Sequence, residues 1–175
     1  GCGVRFMALT DHDTIAGLDE AAAAAKRFGV TLVTGVELSV DWRGRGLHVL
    51  GLAFDPLAAP LMRGLRLLQA QRLERAEQIA ARLTAAGAPG VTALEMVRAA
   101  GRLPTRMHFA RALVALGAAK DVATAFDRWL ARGRPGYFAT KWPSLAEATG
   151  WVAAAGGSAV IAHPMRYPLS AGARR

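Results

Sequence analysis

Two patterns of apolar and polar residues divide this chain. The first pattern is a short apolar run, typical of a buried β-strand, and it occurs at residues 4–9, 30–33, 47–54 and 159–162. Between the first two runs, residues 15–28 have helical spacing. Asp13 or Thr14 is suited to cap the start of this helix, and Gly29 is suited to end it. The order strand, helix, strand predicts an α/β fold.

The extended chain continues over residues 37–42, after the second strand. Residues 44–46 have the composition of a turn, and the next apolar run begins directly after them. These two strands can therefore form a hairpin, which would place His48 beside Glu37.

The second pattern is helical and fills the middle of the chain. Residues 61–86 carry apolar side chains spaced for one helix face, with arginines between them. Residues 92–95 have the spacing of a capping box, which predicts that a short helix begins there. Two more helices are predicted over residues 104–116 and 121–131.

The change from alternating strands and helices to helices alone defines the predicted domains. We predict an α/β body of residues 1–55 and 138–175, interrupted by an all-helical insertion over residues 56–137. A capping box at residues 144–147 opens the last helix of the body. The last strand ends directly before His163.

Composition narrows the class of protein. The chain has 175 residues, enough for a domain with an insertion, and no apolar run approaches the ~18–20 residues that span a bilayer. The single cysteine, Cys2, excludes a disulfide framework and a cysteine-based zinc cluster. No secretory leader is visible, so we expect a cytoplasmic protein.

The net charge of +9, from 22 basic and 13 acidic residues, favours an anionic partner such as a phosphate or a nucleic acid. Most of the basic residues are arginine and alanine is abundant, a bias that the composition of a genome can also produce. Charge alone therefore leaves the partner open.

The histidines are placed where the strands end. His12 and His163 each follow an apolar strand, and Glu37 follows another. In the predicted hairpin, His48 lies next to Glu37. Active sites of α/β folds form where strands converge at their carboxyl ends. Imidazole and carboxylate groups together suit Zn, Mn or Fe, so these four residues predict a metal site.

A structural interpretation of these residues stays open as well. Taken singly, a histidine is more often an ordinary surface or core residue than a metal ligand, and it is the convergence of the set that favours a metal site. Asp11 and Asp13 flank His12 and are suited to orient its imidazole.

Four ordered motifs resemble the PHP (polymerase and histidinol phosphatase) family. They are LTDHDT at residues 9–14, GVELS at 35–39, LHVLGL at 47–52 and AHP at 162–164. In the insertion, TRMHFAR at residues 105–111 and Tyr137 after LARGR resemble one branch of that family. This branch contains 3′,5′-nucleoside bisphosphate phosphatases, and its members are also described as 5′–3′ exoribonucleases.

The resemblance implies a fold and a chemistry. The fold is a partial, distorted (β/α)7 barrel with an all-helical insertion. The activity is that of a hydrolase, a metal-dependent phosphatase or phosphodiesterase with up to three divalent ions, often Mn²⁺. Glu37, His48 and His163 would be ligands of one metal, with Glu37 bridging to another. His12 would bind another metal, with Asp11 orienting it.

The resemblance also implies substrate-binding residues in the insertion: Arg106, His108, Arg111 and Arg134. His108 and Arg111 are three positions apart and share a helix face. Arginine is suited to this role because its guanidinium holds a phosphate through two hydrogen bonds. A solvated basic helix would show the same spacing, and that interpretation stays open.

Two motifs of the family do not occur in this sequence, a His-x-His upstream of residues 9–14 and an Asp-x-His downstream of residues 162–164. On this basis we expect a truncated form. The 175-residue chain is expected to have little or no phosphatase activity and to bind at most one divalent ion.

Two alternative functions stay open at this point. One is a non-enzymatic remnant whose basic helices bind RNA or another anion, and it would need no metal. The other is a phosphatase of the same family with a different substrate, such as histidinol phosphate. The insertion motif favours a nucleotide or short RNA as the substrate, and neither a membrane nor a protein partner is inferred.

Overall fold

The structure is a computed structural model that describes residues 3–167. The chain divides into two compact units, which we call the α/β unit (Gly1–Leu68 and Lys141–Arg175) and the helical unit (Gln69–Thr140). The domain limits predicted from the sequence, with an insertion over residues 56–137, stay a prediction. The last part of the predicted body, residues 168–175, lies outside the described residues.

A parallel pair of strands begins the α/β unit. β1 (Phe6–Ala8) pairs with β2 (Thr31–Val33), and helix α1 (Leu18–Phe28) connects them. Helix α1 ends at Gly29, which has left-handed backbone angles as predicted. The start differs from the prediction, because Gly17 is the N-cap and no side chain caps the helix.

Three antiparallel strands form the second sheet. β3 (Gly35–Trp42) pairs with β4 (Arg45–Leu52), and β4 pairs with β5 (Ser158–Ile161), so β4 is central. The predicted turn at residues 44–46 is wrong by one position. The turn residues are Arg43 and Gly44, which both have positive φ angles, as in a type I′ hairpin turn.

The β3–β4 hairpin has one apolar face. Its inward side chains are fully or almost fully buried, and they are Val36, Leu38, Val40, Leu47 and Val49. They pack with the first turns of helix α2 (Ala59–Ala85) and with helix α6 (Leu145–Ala154). Because side chains alternate along a strand, Glu37, Ser39 and His48 lie on the opposite face.

The helical unit has a core of its own. Besides the rest of α2, it contains α3 (Gly90–Ala99), α4 (Arg106–Ala115), α5 (Val122–Ala125) and a π-helical turn (Phe126–Leu130). The largest side chains of this core are completely buried or nearly so, and they are Ile79, Leu83, Phe109, Leu113 and Leu130. The predicted helical character of this segment is thus present in its described residues.

The capping predictions had mixed outcomes. Ser144 and Glu147 form the predicted capping box of α6, with the Ser144 Oγ accepting from the Glu147 N–H at 3.2 Å. The box predicted at residues 92–95 is wrong, because α3 already begins at Gly90 with Pro89 as its N-cap. The proline ring fixes a φ angle that suits a helix start, so the helix begins before Thr92.

The predicted mixed α/β class is confirmed, whereas the strands of the described residues do not close into a barrel. Among the described residues, no helix is both long enough and apolar enough to cross a membrane.

The contact between α2 and α6 gives a stability prediction. A methyl group on Gly64 of α2 would overlap the indole of Trp151 of α6. Although alanine normally stabilises a helix by about 1 kcal/mol relative to glycine, we expect Gly64→Ala to destabilise the chain by about 1–3 kcal/mol because of this overlap. Urea unfolding measures the effect.

Gly150→Ala is the matched control, because Gly150 lies in α6 and its added methyl group would meet open space. We expect this variant to be more stable by about 0.5–1 kcal/mol. Equal effects from the two substitutions would contradict the α2–α6 packing.

Candidate metal centre

Glu37 and His48 lie together on the outer face of the β3–β4 hairpin. Glu37 is paired with Leu50, and His48 is paired with Ser39, so the two residues are diagonal neighbours. His48 Nδ1 lies 2.9 Å from Glu37 Oε1. The hairpin predicted from the sequence therefore forms, and it brings these two side chains into contact.

His163 reaches the same place through an unusual backbone conformation. Ala162 lies opposite His48, because its N–H donates to the His48 carbonyl at 2.9 Å. In a regular strand, His163 would then point to the face opposite His48. Its backbone is instead left-handed, with φ 36° and ψ 57°, and its Nε2 lies 3.4 Å from His48 Nδ1. Left-handed angles at a non-glycine residue cost about 1–2 kcal/mol.

His12 is held against the free edge of β3. Its backbone forms a parallel bridge with Glu37, since the Glu37 N–H donates to the Asp11 carbonyl at 3.0 Å and the Asp13 N–H donates to the Glu37 carbonyl at 2.9 Å. This bridge places His12 Nδ1 3.9 Å from Glu37 Oε2.

Asp13 continues this edge with its side chain. It is completely buried, and its Oδ1 accepts the Ser39 N–H at 2.7 Å. Its φ angle of 55° is left-handed, a conformation that aspartate tolerates better than most residues. The carboxylate is thus used to hold the loop against β3, which explains why it does not cap α1 as predicted.

The Glu37 carboxylate is the centre of the cluster. Oε1 lies near His48 Nδ1 (2.9 Å) and His163 Nε2 (3.2 Å), and Oε2 faces His12 Nδ1. Burial raises the pKa of Glu37. The hydrogen bond from His48, the charges of His12 and His48, and the hydrogen bond from His163 outweigh burial and lower the pKa from 4.5 to about 2. The carboxylate is therefore ionised throughout the neutral range.

The donor atoms fit a divalent metal ion. Around an ion with ligand distances of about 2.1 Å, tetrahedral donors lie roughly 3.4 Å apart. The three distances among Glu37 Oε1, His48 Nδ1 and His163 Nε2 are 2.9, 3.2 and 3.4 Å. Donor atoms of His12, Glu37 and His48 also lie within 4.8 Å of one another. The sequence-predicted residues are thus brought together, and a mixed nitrogen and oxygen set of this kind suits Zn, Mn or Fe.

Asp11 takes part through its backbone rather than its carboxylate. Its carbonyl accepts the Glu37 N–H, as described above, while its side chain is exposed. Within residues 3–167, no hydrogen bond joins the Asp11 carboxylate to His12. Its predicted role of orienting the imidazole therefore gains no support from the geometry.

The substrate-binding residues predicted for the helical unit have different environments. Arg106 is partly buried, and burial lowers the pKa of its guanidinium. Tyr137 acts to raise this pKa, whereas the charge of Arg72 lowers it further. Arg111 on α4 and Arg134 in the loop after the π-helical turn are exposed.

His108 has a structural function that the sequence motif did not indicate. It closes the capping box of α4, because the Thr105 N–H donates to His108 Nδ1 at 3.3 Å and the His108 N–H donates to Thr105 Oγ1 at 3.3 Å. Burial and the charges of Arg111, Arg102 and Arg72 lower the pKa of His108. Its imidazole is therefore neutral at neutral pH.

Two arginines of α2 add to this group and were missed in the sequence analysis. Arg72 and Arg75 line a shallow hollow together with Arg106, Thr105 and Pro104. Arg72 is only 5% exposed, and its Nη1 makes a long hydrogen bond of 3.5 Å to the Pro104 carbonyl. Three guanidinium groups therefore lie around one hollow. The sequence signal was a pair of arginines three positions apart, which share a helix face.

Comparisons with known proteins show which proteins the chain is similar to. The chain is 48% identical over 165 residues to a 3′,5′-nucleoside bisphosphate phosphatase of Chromobacterium violaceum, covering 94% of this chain and 58% of that protein. It is 42% identical over 168 residues to a 5′–3′ exoribonuclease of Haemophilus influenzae, covering 96% of this chain and 61% of that protein. No family model matches the chain.

A solved structure from Bifidobacterium adolescentis, described as a metal-dependent phosphoesterase, superposes with a TM-score of 0.85 at 30% identity. The match covers 98% of this chain and 63% of that one. The chain thus spans about three fifths of the length of the relatives it matches.

The cluster predicts one weak divalent site in this chain. Glu37, His48 and His163 offer the closest set of donors, whereas His12 faces the other carboxylate oxygen. We expect His48→Ala or His163→Ala to weaken Mn²⁺ binding beyond the roughly 10- to 100-fold typical of outer-shell changes. We expect His12→Ala to change it little.

Calorimetric titration of Mn²⁺ into the chain and the three variants is the measurement. Equal losses of Mn²⁺ affinity in all three variants would contradict the assignment, because His12 would then contribute as much to the bound ion as His48 and His163 do. A folded chain that binds no Mn²⁺ would contradict the site itself.

Proposed function

Since this chain belongs to the PHP (polymerase and histidinol phosphatase) family, in the branch of the 3′,5′-nucleoside bisphosphate phosphatases and 5′–3′ exoribonucleases, we propose that its metal centre hydrolyses phosphate esters. The substrates are 3′,5′-bisphosphonucleotides or the 5′ ends of short RNA. The observation that carries the proposal is the Glu37 carboxylate with three imidazoles within 4 Å of its oxygens.

A divalent ion bound here, with Mn²⁺ as our first candidate, would neutralise phosphate charge and lower the pKa of a bound water towards ~7. His48 and His163 would hold such an ion with Glu37 Oε1, and His12 would face a second ion beside Oε2. Because the pKa of Glu37 is about 2, its carboxylate is available as a ligand without first losing a proton at neutral pH. We propose that the two sheets are portions of a distorted (β/α)7 barrel.

Arginines of the helical unit provide the second part of the proposal. Nucleotides and RNA carry phosphate groups, which arginine side chains bind through charge-assisted hydrogen bonds. Arg72, Arg75 and Arg106 lie around one hollow, and their guanidinium groups are our candidates for binding phosphate there. Neutral His108 can contribute a hydrogen bond but not a charge. Exposed Arg111 and Arg134 remain candidates for contacts with a longer RNA.

Phosphate release under single-turnover conditions tests the reaction. With the chain in excess over adenosine 3′,5′-bisphosphate, even slow hydrolysis is detected. In line with the little or no activity expected from the sequence, we expect at most slow release of orthophosphate, which requires Mn²⁺ and is abolished by a chelator or by His48→Ala, because each removes the metal centre. Binding of Mn²⁺ and nucleotide without any release would contradict the phosphatase proposal and favour an anion-binding module. Release from histidinol phosphate alone would indicate a different substrate.

Binding of the nucleotide without metal tests the arginines. We expect Arg106→Ala to weaken binding of adenosine 3′,5′-bisphosphate in the presence of a chelator by about tenfold, because charge-assisted hydrogen bonds contribute about 1.5–3 kcal/mol. Calorimetry provides the affinity.

Arg98→Ala is the matched control for charge. Arg98 belongs to the same unit, but its guanidinium pairs with Glu77 at 2.8 Å on the surface. We expect this variant to bind the nucleotide almost as the unchanged chain does. Equal losses from both substitutions would indicate a diffuse charge effect instead of a binding hollow.

A further inference from the structure

Tyr167 contacts two histidines of the metal centre at once. Its hydroxyl accepts a hydrogen bond from the His48 backbone N–H at 2.9 Å. Its ring lies beside the His163 imidazole, with 5.3 Å between ring centroids and an angle of 48° between the planes. The tyrosine is partly buried at the edge of the apolar core of the α/β unit. Tyr167 therefore connects His48 of the central strand β4 with His163, which lies beyond the end of β5.

The hydrogen bond replaces a missing bond of the sheet. In an antiparallel ladder, a hydrogen-bonded pair exchanges two bonds. The Ala162 N–H donates to the His48 carbonyl, so the His48 N–H would be expected to donate to the Ala162 carbonyl in return. At His163 the chain leaves the sheet, and the Tyr167 hydroxyl takes the place of that acceptor.

A short turn carries the hydroxyl to this position. The left-handed conformation of His163 leads into a 3₁₀ turn over Pro164–Arg166. The turn is closed by hydrogen bonds from the Arg166 N–H to the His163 carbonyl (2.9 Å) and from the Tyr167 N–H to the Pro164 carbonyl (3.3 Å). The same turn therefore sets the position of the His163 imidazole and of the phenol that packs against it.

We propose that Tyr167 is a positioning residue, which holds the His48 backbone through its hydroxyl and the His163 imidazole through its ring, so that both nitrogens face Glu37 Oε1. The inference rests on the proposed metal-dependent function. It goes beyond that function because Tyr167 is not itself a metal ligand in the proposal.

Tyr167→Phe separates positioning from packing. The phenylalanine ring keeps the apolar contacts and the place beside His163, and only the acceptor for the His48 N–H is lost. We expect Mn²⁺ affinity, measured by calorimetry, to fall about three- to tenfold, in line with the loss of one hydrogen bond. In the metal-free chain, we expect hydrogen exchange of the His48 amide to become faster.

Thr149→Val is the matched control. The Thr149 hydroxyl donates to the Leu145 carbonyl at 2.9 Å inside α6, in the same unit. This substitution also removes a hydroxyl donor, which the Thr149 side chain shares between the Leu145 and Ala146 carbonyls, but it removes no hydrogen bond at the metal centre. We expect a similar change in the thermal midpoint and no change in Mn²⁺ affinity or in exchange of the His48 amide.

The outcomes distinguish this inference from the proposed function. If the unchanged chain binds Mn²⁺ and Tyr167→Phe binds it equally well, the positioning role is overturned while the metal centre stands. If the unchanged chain binds no Mn²⁺, the proposed function fails. The measurements on the metal-free chain then decide whether Tyr167 positions the two histidines. Faster His48 exchange together with shifted imidazole resonances of His48 or His163 in Tyr167→Phe supports positioning, and unchanged spectra overturn it.

Discussion

The alternation of side chains along the β3–β4 hairpin is the constraint on which the α/β unit depends. The same pairing that buries Val36, Leu38 and Val49 sends Glu37 and His48 to the other face. A slip of one residue in either strand would move polar groups into the core and apolar groups into the site. The hydrophobic core and the cluster around Glu37 are thus specified by the same strand register, so a shift of that register would change both.

From this hairpin, the rest of the centre is assembled through backbone contacts. The segment around His12 is held by hydrogen bonds to Glu37 and by the Asp13 carboxylate on Ser39. His163 is held by the end of β5 and the turn after it. Glu37 accepts contacts from both sides because its two oxygens face different histidines. One carboxylate is thus divided between two sides of the cluster.

Features that depend on residues close together in the chain could be predicted from the sequence. The apolar runs indicated the strands, Ser144 and Glu147 indicated the start of α6, and the strand ends indicated that His12, Glu37 and His163 would meet. Two of the failures share a physical cause, because the residue in question is held by a partner far along the chain. Asp13 does not cap α1 because its carboxylate binds the β3 backbone, 26 positions along the chain. Arg72 looked like one of many surface arginines, and only the packing of α2 and α4 shows that it is buried. The left-handed backbone of His163 had no signal in its residue type.

The left-handed conformation of residue 163 makes two requirements conflict. The stability of the fold favours a residue that adopts these angles easily, whereas the proposed metal site requires an imidazole. Glycine or asparagine would adopt the angles of residue 163 at lower cost, so a search for thermostable variants alone would drift towards them. Such variants would keep the turn and gain folding free energy, but they would remove the imidazole whose Nε2 lies 3.4 Å from His48 Nδ1. The histidine at this position is therefore explained by the side-chain cluster and not by the fold. A glycine or asparagine at position 163 would therefore keep the architecture of the turn without the imidazole of the cluster.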